Sequence, residues 1–195
     1  MPRKPRILLD GGYYHILTRG NDRRKIFRYK HDYNYFLKII KLYLAKFQVN
    51  ILHYCLMPNH IHLLIQVQRA EDLPKFMQAI LQVYASYFRK KYNSVGFVFQ
   101  NRYKSYLIEK ESYLLECARY IERNPVRAKI TSNILDYPWS SFSFYARGID
   151  NGIIKTIDPL YPDLAKTELE RKQRYQNHVL EERPYEDIVD KVLKT

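Results

Sequence analysis

The chain has 195 residues, enough for one domain with an appendage, and 46% of them are hydrophobic, which excludes a disordered tail. It has no apolar run of membrane-spanning length, no hydrophobic signal region, and two cysteines, Cys55 and Cys117, that form neither a disulfide framework nor a CxxC pair, so we expect a soluble, cytoplasmic protein. Residues 1–149 hold 25 Lys and Arg against 10 Asp and Glu, whereas residues 150–195 hold 8 against 10. This positive surplus and the 19 tyrosines favour nucleic acid as the partner, because cations meet phosphates and rings stack on unpaired bases; a merely basic soluble protein is the alternative.

Local patterns predict the elements in chain order after a basic arm at residues 1–12. They are a strand at 13–19, a helix at 31–46, strands at 48–57 and 60–67 around a Pro-Asn turn, a helix at 72–92, a strand within 103–109, a helix at 112–124 ended by Pro125, and a helical stretch within 165–182. This order predicts an α+β fold: a ferredoxin-like or RRM-like βαββαβ sandwich with an antiparallel sheet, helices on one face and the other face open. We predict a domain at 1–149, including a helix that bears Tyr120, and a polar, partly helical extension at 150–195.

The triplet His60-Ile61-His62 lies at the start of a predicted strand. Side chains at positions i and i+2 of a strand point the same way, so the two imidazoles can bind one divalent cation while Ile61 faces the core. Two histidines can also be simply exposed there, and two ligands do not complete a site.

The predicted helix before Pro125 offers a third group. Tyr120 and Asn124 are four residues apart and share one helix face, so a phenol and an amide oxygen can face the same site. Oxygen and imidazole ligands suit Mg²⁺ or Mn²⁺, and a tyrosine hydroxyl can attack a phosphodiester. A packed helix tyrosine and an asparagine that merely stops a helix are the structural alternatives.

Five segments carry a family resemblance. They are Tyr54 to Leu64 (YCLMPNHIHLL), Thr18 to Arg24 (TRGNDRR), Val98 to Ser105 (VFQNRYKS), Tyr120 to Ala128 (YIERNPVRA) and Tyr137 to Ser141 (YPWSS). In their order along the chain they resemble the HUH single-strand DNA transposases with one catalytic tyrosine, in the branch associated with repetitive extragenic palindromes (REP). Asn101 departs from the glycine that is typical of the third segment.

The resemblance implies a bacterial, nucleoid-associated enzyme that binds palindromic hairpins and cleaves and rejoins single-stranded DNA through a 5′-phosphotyrosine. It implies Tyr120 as the nucleophile and His60 and His62 as ligands of Mg²⁺ or Mn²⁺. In related transposases an amide on the tyrosine helix is the third ligand, and by position that is Asn124. Members of the family act as monomers or homodimers.

Basic and polar side chains in these segments are candidate DNA contacts. The segment around Gly20 can bond base edges or only phosphates, and both possibilities stay open. The candidates are Arg19, Asn21, Arg23, Arg24, Arg102, Lys104, Arg123 and Arg127.

Three other functions fit part of the pattern. A non-catalytic, domesticated DNA-binding relative explains the charge and the aromatic residues, but it leaves His60, His62, Tyr120 and Asn124 together unexplained. A metal nuclease that uses water would leave free ends without a covalent intermediate. A replication initiator or relaxase shares the chemistry and differs in its substrate.

Overall fold

The computed structural model describes residues 8–181. Its single sheet has four strands: β1 (Tyr13–Arg19), β2 (Val49–Met57), β3 (His60–Val67) and β4 (Lys104–Leu107). Its α-helices are α1 (Lys30–Leu44), α2 (Asp72–Tyr92), α3 (Leu114–Arg127), α4 (Phe142–Arg147) and α5 (Glu168–Leu180). The strand order is β2-β3-β1-β4 and all three pairings are antiparallel, which confirms the predicted βαββαβ sandwich. Most of the predicted arm and the last 14 residues of the extension lie outside the described residues.

One face of the sheet packs on α1 and α2. Alternate residues of each strand point to this face, and the helices contribute buried aromatic and aliphatic side chains such as Phe36 and Ile40 of α1 and Phe76 and Ile80 of α2. Burial of each such side chain stabilises the fold by about 1.5–3 kcal/mol. This layer makes the sheet a rigid support for groups on its other face.

The sequence predicted that the second face of the sheet is open. Helix α3 instead covers part of this face. Leu114, Ala118 and Ile121 form an apolar stripe at helical spacing and share a small core with Cys55 and Leu64 of the sheet. An amphipathic helix has to bury such a stripe, and this sheet face is where α3 does so. Cys55 and Cys117 are free thiols, and Cys55 is buried in this small core.

Helix α3 also runs through Pro125 to Arg127, whereas the sequence predicted that it ends at the proline. Proline has no N–H for the carbonyl four residues before it, here that of Ile121. The Asn124 side-chain amide replaces this donor, because its Nδ2 lies 3.2 Å from Ile121 O and 2.8 Å from Tyr120 O. The helix can therefore continue past Pro125.

The described part of the extension packs on the same molecule. Ile153, Tyr161, Tyr175 and Val179 are buried in the cluster that contains the α1 and α2 core. Helix α5 falls within the stretch predicted to be helical, and the division at residues 149 and 150 stays a prediction. Within residues 8–181, no helix combines the length and the apolar composition that crossing a membrane requires.

Candidate active site on the sheet

Three histidines share the sheet face below α3. In the β1–β3 pairing Arg19 lies opposite His60 and Leu17 lies opposite His62. Because residues two apart on a strand point the same way, His15 faces the same side as His60 and His62. His15 Nε2 and His62 Nδ1 are 2.9 Å apart and share a hydrogen bond, and the rings of His60 and His62 are 4.9 Å apart.

Helix α3 places Tyr120 over these histidines. The Tyr120 ring centroid lies 5.9 Å from that of His62 and 5.9 Å from that of His15, edge-on in both cases. The Arg127 guanidinium lies 5.1 Å from the Tyr120 ring centroid. The structure therefore brings three of the predicted groups together: two of the three candidate ligands, His60 and His62, and the candidate nucleophile.

The two inner histidines are neutral at physiological pH. Burial lowers the pKa of His62 well below its usual value, and the neighbouring His60, His15, Arg19 and Arg127 lower it further. Burial alone lowers the pKa of His15 to about 4. A metal ion binds imidazole through a lone pair, so the neutral form of His62 is the form a ligand requires.

The donor set fits a divalent cation. His60 and His62 supply imidazole nitrogens, and Asn124, one turn from Tyr120, supplies an amide whose nitrogen donates to the helix backbone. The amide oxygen of Asn124 is therefore the atom suited to a cation. Among residues 8–181, no group of three or more His, Cys, Asp or Glu is arranged to hold a metal.

Three loops that carry the resemblance meet beside His60. Gly20 N donates to Asn59 O at 2.8 Å, and Asn21 N donates to Val98 O at 2.8 Å. The loop of residues 20–24, called the basic loop below, thus lies between the Pro58-Asn59 turn and the segment around Val98. Gly20 is buried, and a Cβ there would collide with the Arg24 carbonyl, so this position requires glycine.

Most predicted DNA contacts lie on accessible parts of this region. Arg23, Arg102 and Lys104 are exposed, while Arg19, Asn21, Arg24 and Arg127 are half-buried. Arg24 donates to Ser94 Oγ at 3.0 Å, so part of its guanidinium stabilises the loop.

Arg123 is placed differently from this expectation. It is buried, and its Nη1 donates to Val179 O at 3.0 Å and to Leu180 O at 2.8 Å at the C-terminal end of α5. Arg119, one turn earlier on α3, is also buried and donates to the carbonyls of His178 and Glu181. The described conformation gives Arg123 a structural contact with α5 in place of an accessible phosphate contact.

Three further residues of this region were not among the predicted site residues. His15 hydrogen-bonds His62, and its signal in the sequence was its even spacing from Leu17 and Arg19 on β1. Tyr106 on β4 lies opposite His15, with ring centroids 6.1 Å apart. Asn59 accepts from His60 Nδ1 at 2.6 Å. In the sequence, an asparagine after a proline indicated only a turn.

The four-stranded antiparallel sheet and its helices form the fold expected of the transposases that the sequence resembles. Residues 9–124, more than half of the chain, match the family described as "Transposase IS200 like". The chain belongs to this family of transposases, which confirms the resemblance.

Two similar proteins narrow the comparison. A Haemophilus influenzae protein, provisionally named a REP-associated tyrosine transposase, is 29% identical over 144 residues, which cover 68% of this chain and 80% of that protein. A solved structure of a REP-associated tyrosine transposase bound to a REP hairpin superposes with a TM-score of 0.63 at 19% identity, covering 80% of this chain and 92% of that one. At 19% identity, the similarity to this solved structure shows a shared fold and nothing more.

Proposed function

We propose that this chain is a DNA strand transferase that binds palindromic hairpin DNA and cleaves and rejoins single-stranded DNA through Tyr120. The observation that carries the proposal is the position of the Tyr120 ring against His62, with His60 beside it, on a sheet face supported from behind by α1 and α2. A tyrosine packed only for stability does not require two candidate metal ligands next to its ring.

The proposed reaction begins with attack by the Tyr120 hydroxyl on a phosphodiester. Tyr120 Oη forms a bond to phosphorus while the bond from phosphorus to the 3′ oxygen breaks, which leaves a 5′-phosphotyrosine and a free 3′-hydroxyl. The phenol proton passes to water, and the leaving 3′ oxygen takes up a proton. Because the phosphotyrosine keeps the energy of the phosphodiester, a 3′-hydroxyl can reverse the step and join strands without ATP.

His60, His62 and Asn124 would hold Mg²⁺ or Mn²⁺. When bound, the ion supplies charge neutralisation at the phosphate oxygens and helps to orient the phosphate. His62 contributes as a neutral imidazole, and Asn124 contributes an oxygen from the same helix as the nucleophile. Placing Tyr120 and Asn124 on one helix makes their separation a property of a single rigid element.

The substrate is inferred from charge and from the relatives. The basic loop, Arg102 and Lys104 form a positive region beside the candidate site, and the relatives are REP-associated. We infer that Arg19, Asn21, Arg23 and Arg24 contact a hairpin or its flanking strand and that Arg102, Lys104 and Arg127 contact phosphates. Monomer and homodimer are both compatible with this proposal.

The test uses a pool of single-stranded hairpins with randomised stems and flanks, incubated with the protein and Mn²⁺. We expect a covalent protein–DNA adduct on a denaturing gel that disappears with a chelator and with Tyr120→Phe. Tyr113→Phe is the matched control, because Tyr113 lies exposed at the beginning of the same helix, and it should retain the adduct.

Other outcomes contradict the proposal in distinct ways. An adduct that persists in Tyr120→Phe would show that another group is the nucleophile. Cut strands without an adduct would indicate a nuclease that uses water. Retention of hairpins without cleavage at any Mn²⁺ concentration would favour the non-catalytic DNA-binding relative.

A further inference from the structure

The Asn59 side chain makes two hydrogen bonds of opposite sense in the turn between β2 and β3. Its Nδ2 donates to Arg23 O at 3.2 Å, and its Oδ1 lies 2.6 Å from His60 Nδ1. A backbone carbonyl only accepts, so the amide nitrogen must face Arg23 and the amide oxygen must face His60. The imidazole is therefore the donor in the second bond.

This bond selects one tautomer of His60. A neutral imidazole that donates from Nδ1 carries its lone pair on Nε2, and a metal-binding histidine characteristically donates its other nitrogen to a fixed acceptor. The acceptor here is itself held by the Arg23 carbonyl. Asn59 therefore determines both which nitrogen of His60 can bind a cation and how the ring is turned.

The same turn also holds the basic loop. Asn59 O accepts from Gly20 N at 2.8 Å, and Pro58 O accepts from Ile26 N at 2.7 Å, so the first residue of the loop and a residue just after its end both bond to the turn. Inside the loop Asp22 and Arg23 adopt φ values of 52° and 53°, in the left-handed region that non-glycine residues rarely enter. The Asn59 amide thus bonds the loop at an unfavourable backbone conformation and bonds His60 at the same time.

We infer that Asn59 is a positioning residue that sets the tautomer and orientation of His60 and couples them to the backbone of the basic loop. The inference rests on the proposed function, because it assigns His60 a cation to bind. A contact that moves the Arg23 backbone, such as a phosphate on its exposed side chain, changes the position of the Asn59 amide and therefore of the His60 ring. Aspartate would accept from His60 but would have no donor for Arg23 O, which separates the two roles.

The experiment measures the tautomer of His60 without metal or DNA. Imidazole ¹⁵N spectra of histidine-labelled full-length protein are recorded at pH 8, above the usual titration range of imidazole, with His60 assigned from His60→Gln. We expect the proton on Nδ1 in the wild type and in Asn59→Asp, and a loss of this preference in Asn59→Ala. Asn50→Ala is the control, because Asn50 is a half-buried asparagine near the other end of the same sheet that bonds Gln66.

Two further measurements separate the two roles. Mn²⁺ affinity by calorimetry should fall 10- to 100-fold in Asn59→Ala and only a few-fold in Asn59→Asp. Amide hydrogen exchange of residues 20–24 should become faster in both variants, because both lack the donor to Arg23 O. Asn50→Ala should match the wild type in both measurements.

A wild-type His60 with its proton on Nε2, or an Asn59→Ala variant with the wild-type tautomer, would overturn the inference. Unchanged exchange of the basic loop in Asn59→Asp would overturn the coupling. Because the spectra need neither DNA nor cleavage, a failed adduct experiment with Tyr120 leaves the tautomer result interpretable. Conversely, normal adduct formation together with a His60 tautomer that does not depend on Asn59 would refute this inference and leave the proposed function standing.

Discussion

Arginines of this chain lie in two different environments, and the environment determines what each can do. Arg119 and Arg123 of α3 are buried and donate to carbonyls at the C-terminal end of α5, where the helix dipole is negative. Arg102 is exposed beside the candidate site. A buried guanidinium that loses its partners is costly, whereas an exposed one contributes to stability very little.

The first prediction compares these two kinds of arginine. Arg123→Ala removes the donor from Val179 O and Leu180 O and leaves a gap between α3 and α5, so we expect the free energy of unfolding to fall by about 2–4 kcal/mol. Arg102→Ala should change it by less than about 0.5 kcal/mol. Urea unfolding measures both.

DNA binding should show the opposite order at temperatures where both variants are folded. Arg102→Ala should weaken hairpin binding and lower the slope of log affinity against log salt by about 1, the value for one lost phosphate contact. A larger stability loss in Arg102→Ala than in Arg123→Ala would contradict the assigned environments.

At the scale of the element, α3 depends on a local compensation. Pro125 removes one backbone donor, and the Asn124 amide supplies another to Ile121 O. Because the amide nitrogen of Asn124 makes these helix bonds, its amide oxygen is the atom that can bind the candidate cation. The Asn124 side chain can thus stabilise the last turn of α3 through its nitrogen and serve as a ligand through its oxygen.

The second prediction tests this compensation by a double-mutant cycle. Asn124→Ala should lower the free energy of unfolding by about 1 kcal/mol, because Ile121 O loses its donor. In a Pro125→Ala background the loss should be smaller, since the N–H of residue 125 can bond Ile121 O directly. Thermal and urea unfolding of the four proteins without metal give the coupling energy. Equal losses in both backgrounds would show that Asn124 does not replace the proline donor.

Local patterns predicted the elements well, because strand alternation and helical spacing are properties of neighbouring residues. The bounds of β1 and α2 follow from them, and so does the shared direction of His60 and His62. The predicted end of α3 was wrong, because the Asn124 side chain supplies the hydrogen-bond donor that Pro125 lacks. The resemblance, and no periodicity, distinguished Tyr120 among 19 tyrosines.

Longer-range contacts had no comparable signal. His53 bonds Glu122 and Asp158, which are 69 and 105 residues away, and nothing in the neighbourhood of any of the three indicates this cluster. Coverage of the second sheet face by α3 depends on how the chain returns after β4. Such pairings are set by packing of the whole chain. A single sequence therefore predicts the elements better than it predicts which elements contact each other.

At the scale of the molecule, a buried polar cluster joins the sheet, the tyrosine helix and the extension. His53 of β2 lies 3.0 Å from Glu122 Oε1 of α3 and 3.2 Å from Asp158 Oδ2 of the extension. Ser141 and Tyr175 donate to the two oxygens of Glu122, and Tyr145 stacks on the His53 ring. All of these groups are buried, so each depends on the others for its hydrogen bonds.

The third prediction concerns the charge of this cluster. Burial alone would lower the pKa of His53, but hydrogen bonds to Asp158 and Glu122 outweigh it and raise the pKa to about 9. A group whose folded pKa lies above its unfolded value of about 6.5 stabilises the fold fully below pH 6.5, and this contribution is lost as the pH rises through 9. We therefore expect the free energy of unfolding to fall by about 3 kcal/mol between these values, measured by urea titration with Trp139 fluorescence.

Asp158→Asn shows whether His53 causes this fall. With only the Glu122 carboxylate left, the pKa of folded His53 decreases, so the loss of stability should still begin near pH 6.5 but be complete at a lower pH and be smaller in size. Burial raises the pKa of both cysteines, that of Cys117 to about 12, so unfolding ionises these thiols as the pH approaches about 8.5 and adds to the fall. Both proteins share this contribution, so the difference between their curves reports on His53. Parallel curves for the two proteins from pH 6.5 to 9 would contradict the assignment. A shifted curve would mean that Asp158 of the extension, 38 residues after Tyr120, sets the charge beneath the helix that carries the candidate nucleophile.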